Sequence, residues 1–498
     1  MLPILNSAYI QRSTDSNVNK DVFSYPETIL QFGTGVLLRG LVDYLVDKGN
    51  RNGSYKGRIV VIKSTDGSTS EFSEQDNLFT THIKGVAQGE LVDNVLINSS
   101  ISRVLQSNAE WEKILEAVHQ PALQTIISNT TEVGIQYVPE RIKEGVPASF
   151  PGKLLALLWE RYHYFKGSSN TGFVIVPTEL VVDNGRLLKE IVLQLAAYNE
   201  LPQGFTDWIH KENRFCNSLV DRIVPGKPRN LAEMEEKAGY RDQLWIEVEP
   251  FLLWAIEGDE QVKSVLSFHQ ADERMLIAES ITPYREQKLR ILNGSHTVSV
   301  PLAFLSGLNT VYESMKDPFM NRFFKKVILE EILPTIENEC PTAPAFAQDV
   351  LDRFANPFIE HKLISITFQE SSKMNARNVK TFQRYHEKFN KVPPYMSLGF
   401  AAMILFLRPA GRKEDEKYYG NREAGEYVIT DDNAAIFAEY WQNATDIHTL
   451  VSKIAADKRL WETDLTAIPG FVAEVTSCLS ELKEKGVATF IQLQLELK

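Results

Sequence analysis

Apolar and polar positions change their rhythm once along the chain. Through roughly its first half, short apolar runs alternate with stretches of helical period. After a polar leader, residues 28–32 read as a buried strand that runs into Gly33-Thr34-Gly35. The segment LLRGLVDYLVDKG, from Leu37, then places Leu38, Leu41, Val42 and Leu45 on one helical face, with Gly49 as its stop. A second apolar strand, 58–62, precedes the polar turn 63–68. Strand, glycine turn, helix and strand make a βαβ unit, whose two strands should be parallel neighbours. The order repeats with helix 109–118, strand 125–128, helix 153–165, strand 173–177 and helix 186–198. Such alternation predicts a doubly wound sheet. Residues 245–250 and 262–268 read as further strands that extend it. From about Pro283 the helical period dominates to Lys498, broken near Pro341, Pro393 and Pro409. The expected fold is therefore α/β: an N-terminal Rossmann-type doubly wound sheet over 1–280 and a mainly α-helical C-terminal domain over 281–498. No internal repeat points to a solenoid.

The bulk properties narrow this picture. A chain of 498 residues is too long for one ordinary hydrophobic core, which agrees with two domains. Its net charge of −12 argues against nucleic-acid or anionic-membrane partners, both of which need a concentrated basic surface. A small anionic substrate is compatible with it, since a few local cations suffice. Cys216, Cys340 and Cys478 are scattered and form no zinc-like spacing, so reduced thiols and no metal are expected. The N-terminal segment lacks the pattern of a signal peptide. The apolar run 398–407 is too short to span a bilayer and reads as a buried helix. A cytoplasmic protein is the expectation; the oligomeric state stays open, a monomer included.

Two places carry chemistry. At the first, Gly33 permits a tight turn and Gly35 lets backbone N–H groups approach a pyrophosphate at a helix N-terminus. The third glycine of a dinucleotide fingerprint is absent, its place taken by Leu38. Asp66, after the second strand, suits the adenosine ribose, although it equally suits a turn cap and Lys63 beside it could favour a 2′-phosphate. Asn129, Thr130 and Glu132 close a further strand, where such sheets border a cofactor. The second place is Lys288-Leu-Arg-Ile-Leu-Asn293-Gly-Ser-His296. Hydride addition to a ketone builds charge on oxygen, so a proton donor and fixed hydrogen-bond donors are needed there. Asn293 and His296 share a helical face, whereas Lys288, five residues earlier, is turned away in a regular helix. From spacing alone, a solvated lysine and a core histidine fit the same pattern.

At these residues the chain resembles the polyol-specific long-chain dehydrogenases, the family of mannitol dehydrogenase. Lys288, Asn293 and His296 match the family's K-x-x-x-x-N-x-x-H; Gly33-Thr34-Gly35 with Arg39 resembles its nucleotide turn. The segment CNSLVDRIVP at 216–225 is similar to its N-S-x-V-D-R-I-x-P. The resemblance implies an NAD-dependent enzyme, with Phe32, Gly33, Thr34, Gly35, Asp66, Asn129, Thr130 and Glu132 near the cofactor. It implies Lys288 as a metal-free acid/base, helped by Asn293 and His296, and Glu179, Asn184 and Asp221 toward the substrate. One departure stands out: where mannitol-type members read S-C-D-N, this chain reads Pro177-Thr178-Glu179-Leu180, and leucine cannot donate a hydrogen bond. Segments 29–33, 128–132, 220–224 and 291–297 resemble members that interconvert a hexuronate and its aldonate. Lys373 and Arg377, four apart, are the cations that could hold such a carboxylate; Arg222 reads as structural. The alternatives are a fructuronate or mannitol-type substrate, or a Rossmann-core nucleotide-binding sensor without catalysis.

Overall fold

The structure, a computed structural model, describes residues 2–13, 18, 20–130, 134–411, 413–414 and 417–496. It divides into two compact units, residues 1–84 with 91–281, and residues 85–90 with 282–498.

The first unit is built on six strands: β1 (Glu27–Phe32), β2 (Arg58–Lys63), β3 (Ile101–Gln106), β4 (Thr125–Ser128), β5 (Val174–Pro177) and β6 (Arg214–Phe215). They lie in the order β3-β2-β1-β4-β5-β6, every pair parallel. This is the doubly wound order, which reverses between β1 and β4 and leaves a crevice there. Strand alternation explains why both faces are covered. Ile29 of β1 and Ile59 and Val61 of β2 enter one core, while Leu30, Phe32, Val60 and Ile62 enter the other. All seven are essentially unexposed, and each fully buried side chain of this kind contributes about 1.5–3 kcal/mol.

Helix 36–52 follows β1, with α geometry over Val36–Leu38, a π turn over Arg39–Asp43 and α geometry again over Tyr44–Asn52. It passes through Gly49, the expected stop, and ends at Gly53 in left-handed conformation (φ 80°). Gly49 is there for packing: a Cβ would meet Phe268 at 2.8 Å. Residues 262–268 are also corrected. They belong to a helix, Glu260–Val265, and a 3-10 turn, Ser267–Ala271. Asp259 starts that helix by accepting the N–H of Val262 at 3.0 Å, a cap that outweighs the β-like alternation. Ile246–Val248 is a strand, but it pairs with Phe79–Ala87 in a separate sheet rather than extending the main one.

From residue 282 onward the described residues of the second unit are mainly helical, with a small antiparallel sheet, Lys413–Glu414, Lys417–Arg422 and Gly425–Ile429. Its centre is Pro394–Phe406, buried on nearly every side, which packs on Ser295–Leu305 and Phe471–Lys485. Among the described residues three helices here carry π turns, one of them over Lys326–Ile332, and the other two meet. Of these two, one comprises Thr282–Gln287, a π turn over Lys288–Gly294, and Ser295–Leu305. The other comprises Glu370–Met374, a π turn over Asn375–Val379, and Lys380–Phe389. The two π turns pack on each other.

Candidate active site

In the first unit the nucleotide turn follows from local geometry. Gly33 is at φ 123°, where side chains are strained, and a Cβ would meet the Asn129 carbonyl and Leu38 at 3.0 Å. Gly35 precedes helix 36–52 without a capping side chain. A Cβ on Gly35 would meet nothing within 4 Å. An uncapped helix start facing open space, at the reversal of strand order, has the features that suit a pyrophosphate. Phe32 cannot offer its ring there: it is fully buried, edge-on to Phe150 at 4.9 Å, and its carbonyl accepts the Asn129 N–H.

Asp66 is exposed beyond β2 and receives a long contact from Asn108 (3.4 Å). The ammonium of Lys63 donates to the Ser68 carbonyl at 2.7 Å, closing the same turn. Past β4, Asn129 donates to the Thr178 hydroxyl at 3.0 Å. Thr130 gives both its N–H and its hydroxyl to one oxygen of Glu179 at 2.9 Å, and Ser128 gives its hydroxyl to the other at 3.1 Å. Glu132 lies outside the described residues. Glu179 thus ties the ends of β4 and β5 together, whereas it was expected at the substrate.

Asn184 has a similar structural task. Its amide donates to the carbonyls of Pro177, Glu179 and Ser218 and accepts from the N–H groups of Gly185 and Ser218. No capacity is left over for a ligand. Asp221 ends a strand, Ser218–Asp221, paired with Leu253–Glu257. Arg222 is buried, donates to the carbonyls of Glu249 and Gly40, and lies 4.4 Å over the Tyr44 ring. Leu180 is 64% exposed.

In the second unit the π turn resolves the spacing problem of Lys288. In a regular α-helix, residues five apart point about 140° away from each other. In π geometry the hydrogen bonds run from residue i to i+5 and bring such residues one above the other. Lys288 and Asn293 both lie inside the π turn, so one face carries both, and His296 follows where α geometry resumes.

His296 is buried, stacked on Phe354 at 4.1 Å, and its Nε2 has no hydrogen-bond partner among the described residues. Burial, and then the charges of His361, Arg353, Arg377 and Lys373, hold its pKa well below the usual histidine range. The uncharged imidazole thus keeps one nitrogen without a partner among the described residues, able to donate to or accept from a ligand hydroxyl.

Arg377 donates to the Thr297 hydroxyl at 2.9 Å, and Lys373 to the Ile366 carbonyl at 2.9 Å. Both acid-binding candidates thus stand in the same cluster as His296, although each is anchored on the protein. Arg290, Asn378 and Glu370 are absent from the sequence-based set. Arg290 donates to the carbonyls of Ala376 (3.1 Å) and Arg377 (2.8 Å), and Asn378 to that of Gly294 (3.1 Å). A Cβ on Gly294 would meet the Asn378 side chain at 2.9 Å, so the two π turns can approach this closely only at glycine. Among the described residues, no group of three or more His, Cys, Asp or Glu could hold a metal ion.

Comparison with known proteins assigns the class. Residues 27–269 match the mannitol dehydrogenase Rossmann domain and residues 280–483 the mannitol dehydrogenase C-terminal domain. The chain belongs to the mannitol dehydrogenase family, and is an oxidoreductase acting on CH–OH groups. Among its relatives is the altronate oxidoreductase of Halalkalibacterium halodurans, 38% identical over 473 residues, which cover 93% of this chain and 92% of that protein. The altronate oxidoreductase of Bacillus subtilis is also 38% identical, over 480 residues, 94% of this chain and 96% of that one. In fold the chain is similar to the Pseudomonas fluorescens mannitol 2-dehydrogenase solved with NAD and D-mannitol, at TM-score 0.63 and 22% identity, over 99% of this chain and 100% of that one.

Proposed function

We propose that the protein reversibly reduces D-tagaturonate to D-altronate with NADH, in the cytoplasm and without a metal. The observation that carries this reading is the π turn that puts Lys288 and Asn293 on one face, beside a neutral His296 and the cations Lys373 and Arg377. The relatives named altronate oxidoreductase supply the substrate pair.

The residues of the glycine turn suit the cofactor. Gly33, Thr34 and Gly35 would hold the pyrophosphate, Asn129 and Thr130 would border it, and Asp66 would take the ribose hydroxyls. Asp66 would repel a 2′-phosphate, which favours NAD over NADP even with Lys63, tied by the Ser68 carbonyl into the same turn. NADH, when bound, supplies the hydride.

The chain's own residues manage the rest. Asn293 and His296 hold the ketone oxygen by hydrogen bonds that strengthen as charge develops on it. Lys288 gives that oxygen a proton, and in the oxidative direction takes one from the altronate hydroxyl. Lys373 and Arg377 hold the carboxylate at the other end.

Replacing the proton donor tests this. Lys288→Ala is expected to lower turnover by roughly 100- to 10,000-fold while leaving NADH binding, measured by fluorescence titration, nearly intact. Near-normal turnover would make Lys288 a surface residue and end the mechanism.

A further inference from the structure

The acid-binding end of the second unit contains a carboxylate with nothing to bond to. Glu370, the first residue of Glu370–Met374, is 0% exposed, and neither of its oxygens has a hydrogen-bond partner among the described residues. Such a group is costly to bury, and its ionised form more so. The backbone forces it inward. Gln369, just before it, is held at φ 54°, a left-handed conformation unusual for glutamine. Its N–H donates to the Thr430 carbonyl at 2.8 Å, and its side chain exchanges two hydrogen bonds with Asp432. The inward position is therefore enforced at both main chain and side chain.

The charges acting on Glu370 come from three elements. Lys373 stands one turn along its own helix, Arg377 is on the π turn, and Asp431 is on the neighbouring segment. Asp431 is already satisfied by the N–H and hydroxyl of Ser371 and the N–H of Asn433. From Ser295–Leu305, His296 is influenced by the same Lys373 and Arg377. Lys458 and Arg459, on the short helix packed against this segment, are exposed, and Glu462 bonds Asn375 at 3.3 Å. Burial dominates and raises the pKa of Glu370 well above the usual carboxylate range, with the two cations opposing and Asp431 adding to it.

We propose that Glu370 is a specificity-determining residue that takes up a proton when an anionic substrate binds at Lys373 and Arg377 and gives it back on release. This rests on the reading that these two cations hold the substrate carboxylate. Above its raised pKa, Glu370 is ionised before binding and serves as their counter-charge. A second anion at the same cations competes with it, and protonation of Glu370 removes the competition. The step is balanced: one proton passes from solvent to one carboxylate oxygen, and no other bond forms or breaks. A neutral ketose brings no anion and takes up no proton. The device thus makes the site charge-selective and ties acid binding to pH.

The full chain with NADH bound, a complex in which D-altronate cannot react, titrated with D-altronate by calorimetry in buffers of different ionisation enthalpy, reads the proton directly. Uptake approaching about one proton per ligand is expected in the wild type above the raised pKa of Glu370, with affinity falling up to about tenfold per pH unit over that range. Glu370→Gln should abolish the uptake and flatten the pH dependence. Unchanged uptake in a folded E370Q would overturn the proposal. Should E370Q not fold, infrared difference spectra of the wild type decide. With isotopically labelled altronate, whose own carboxyl band is displaced, a protein carboxylic-acid band must grow on binding, and its absence overturns the proposal. Failure of the underlying reading looks different: Lys373→Met would then weaken D-altronate and D-tagatose equally, whatever Glu370 does.

Discussion

His296 is the residue whose environment says most about its task. Burial, with two arginines, a lysine and a second histidine around it, holds this imidazole well below the usual histidine range and favours its neutral form, as the hydrogen-bonding role proposed for it requires. The cost of that arrangement is measurable. The folded pKa is depressed, so below about pH 6.5 the unfolded chain binds a proton that folded His296 refuses. Its contribution to stability is present above that pH and is lost as pH falls below it. Comparing melting temperatures between pH 7 and 5, the acid-side decline should be shallower in His296→Gln than in the wild type. Parallel declines would mean that the ring is protonated in the native state. Glu370 contributes with the opposite sign, because its raised pKa weakens the fold as pH rises above the unfolded carboxylate value. Part of this cluster is legible in the sequence, since Lys288, Asn293 and His296 form a spaced motif. Glu370 is not, because a glutamate beside two serines reads as a solvated helix start until its burial is known.

At the scale of elements, the paired π turns do what a regular helix could not. A π turn leaves some carbonyls poorly served by their own helix, and here donors on the facing segment reach them. Arg290 serves Ala376 and Arg377, and Asn378 serves Gly294. Arg290→Ala should therefore loosen the register between the two segments. Turnover is expected to fall about tenfold or more with NADH affinity within about twofold, and Arg290→Lys, a point charge without the fork, should recover only part. Full activity in Arg290→Ala would show that the stitching is incidental. The sequence does not disclose the π turns, because Leu289, Ile291 and Leu292 suit an α face equally well. It does disclose β1, β2, β4 and β5, whose continuous apolar runs are what two covered faces demand. Phe79–Ala87 and Glu90–Asn98 escape notice because the second is half polar and largely exposed, and so has little hydrophobic signature. Residues 262–268 mislead for the converse reason, since alternation there is overridden by the Asp259 cap.

For the molecule as a whole, the chemistry divides between the units. The first holds a glycine turn at the reversal of a parallel sheet, and the second holds Lys288, Asn293 and His296, proposed as the proton donor and the donor pair, with the cations Lys373 and Arg377. The order of alternating strands and helices makes the fold class legible, because parallel strands need covered crossovers. The substrate is less legible, since a pair of cations four residues apart looks the same on a solvated helix as beside a buried histidine. What separates this chain from a neutral-polyol enzyme is the proposed charge at Lys373 and Arg377, with leucine at 180 where the mannitol-type pattern has a donor. The decisive measurement is therefore the rate of NADH oxidation with D-tagaturonate and with neutral D-tagatose, in the wild type and in Lys373→Met. A charge-assisted bond is worth about 1.5–3 kcal/mol, so kcat/KM for tagaturonate should exceed that for tagatose by at least about tenfold. Lys373→Met should erase most of that advantage. Equal kcat/KM for the two substrates, or equal losses on both in the variant, would contradict an acid-specific reductase.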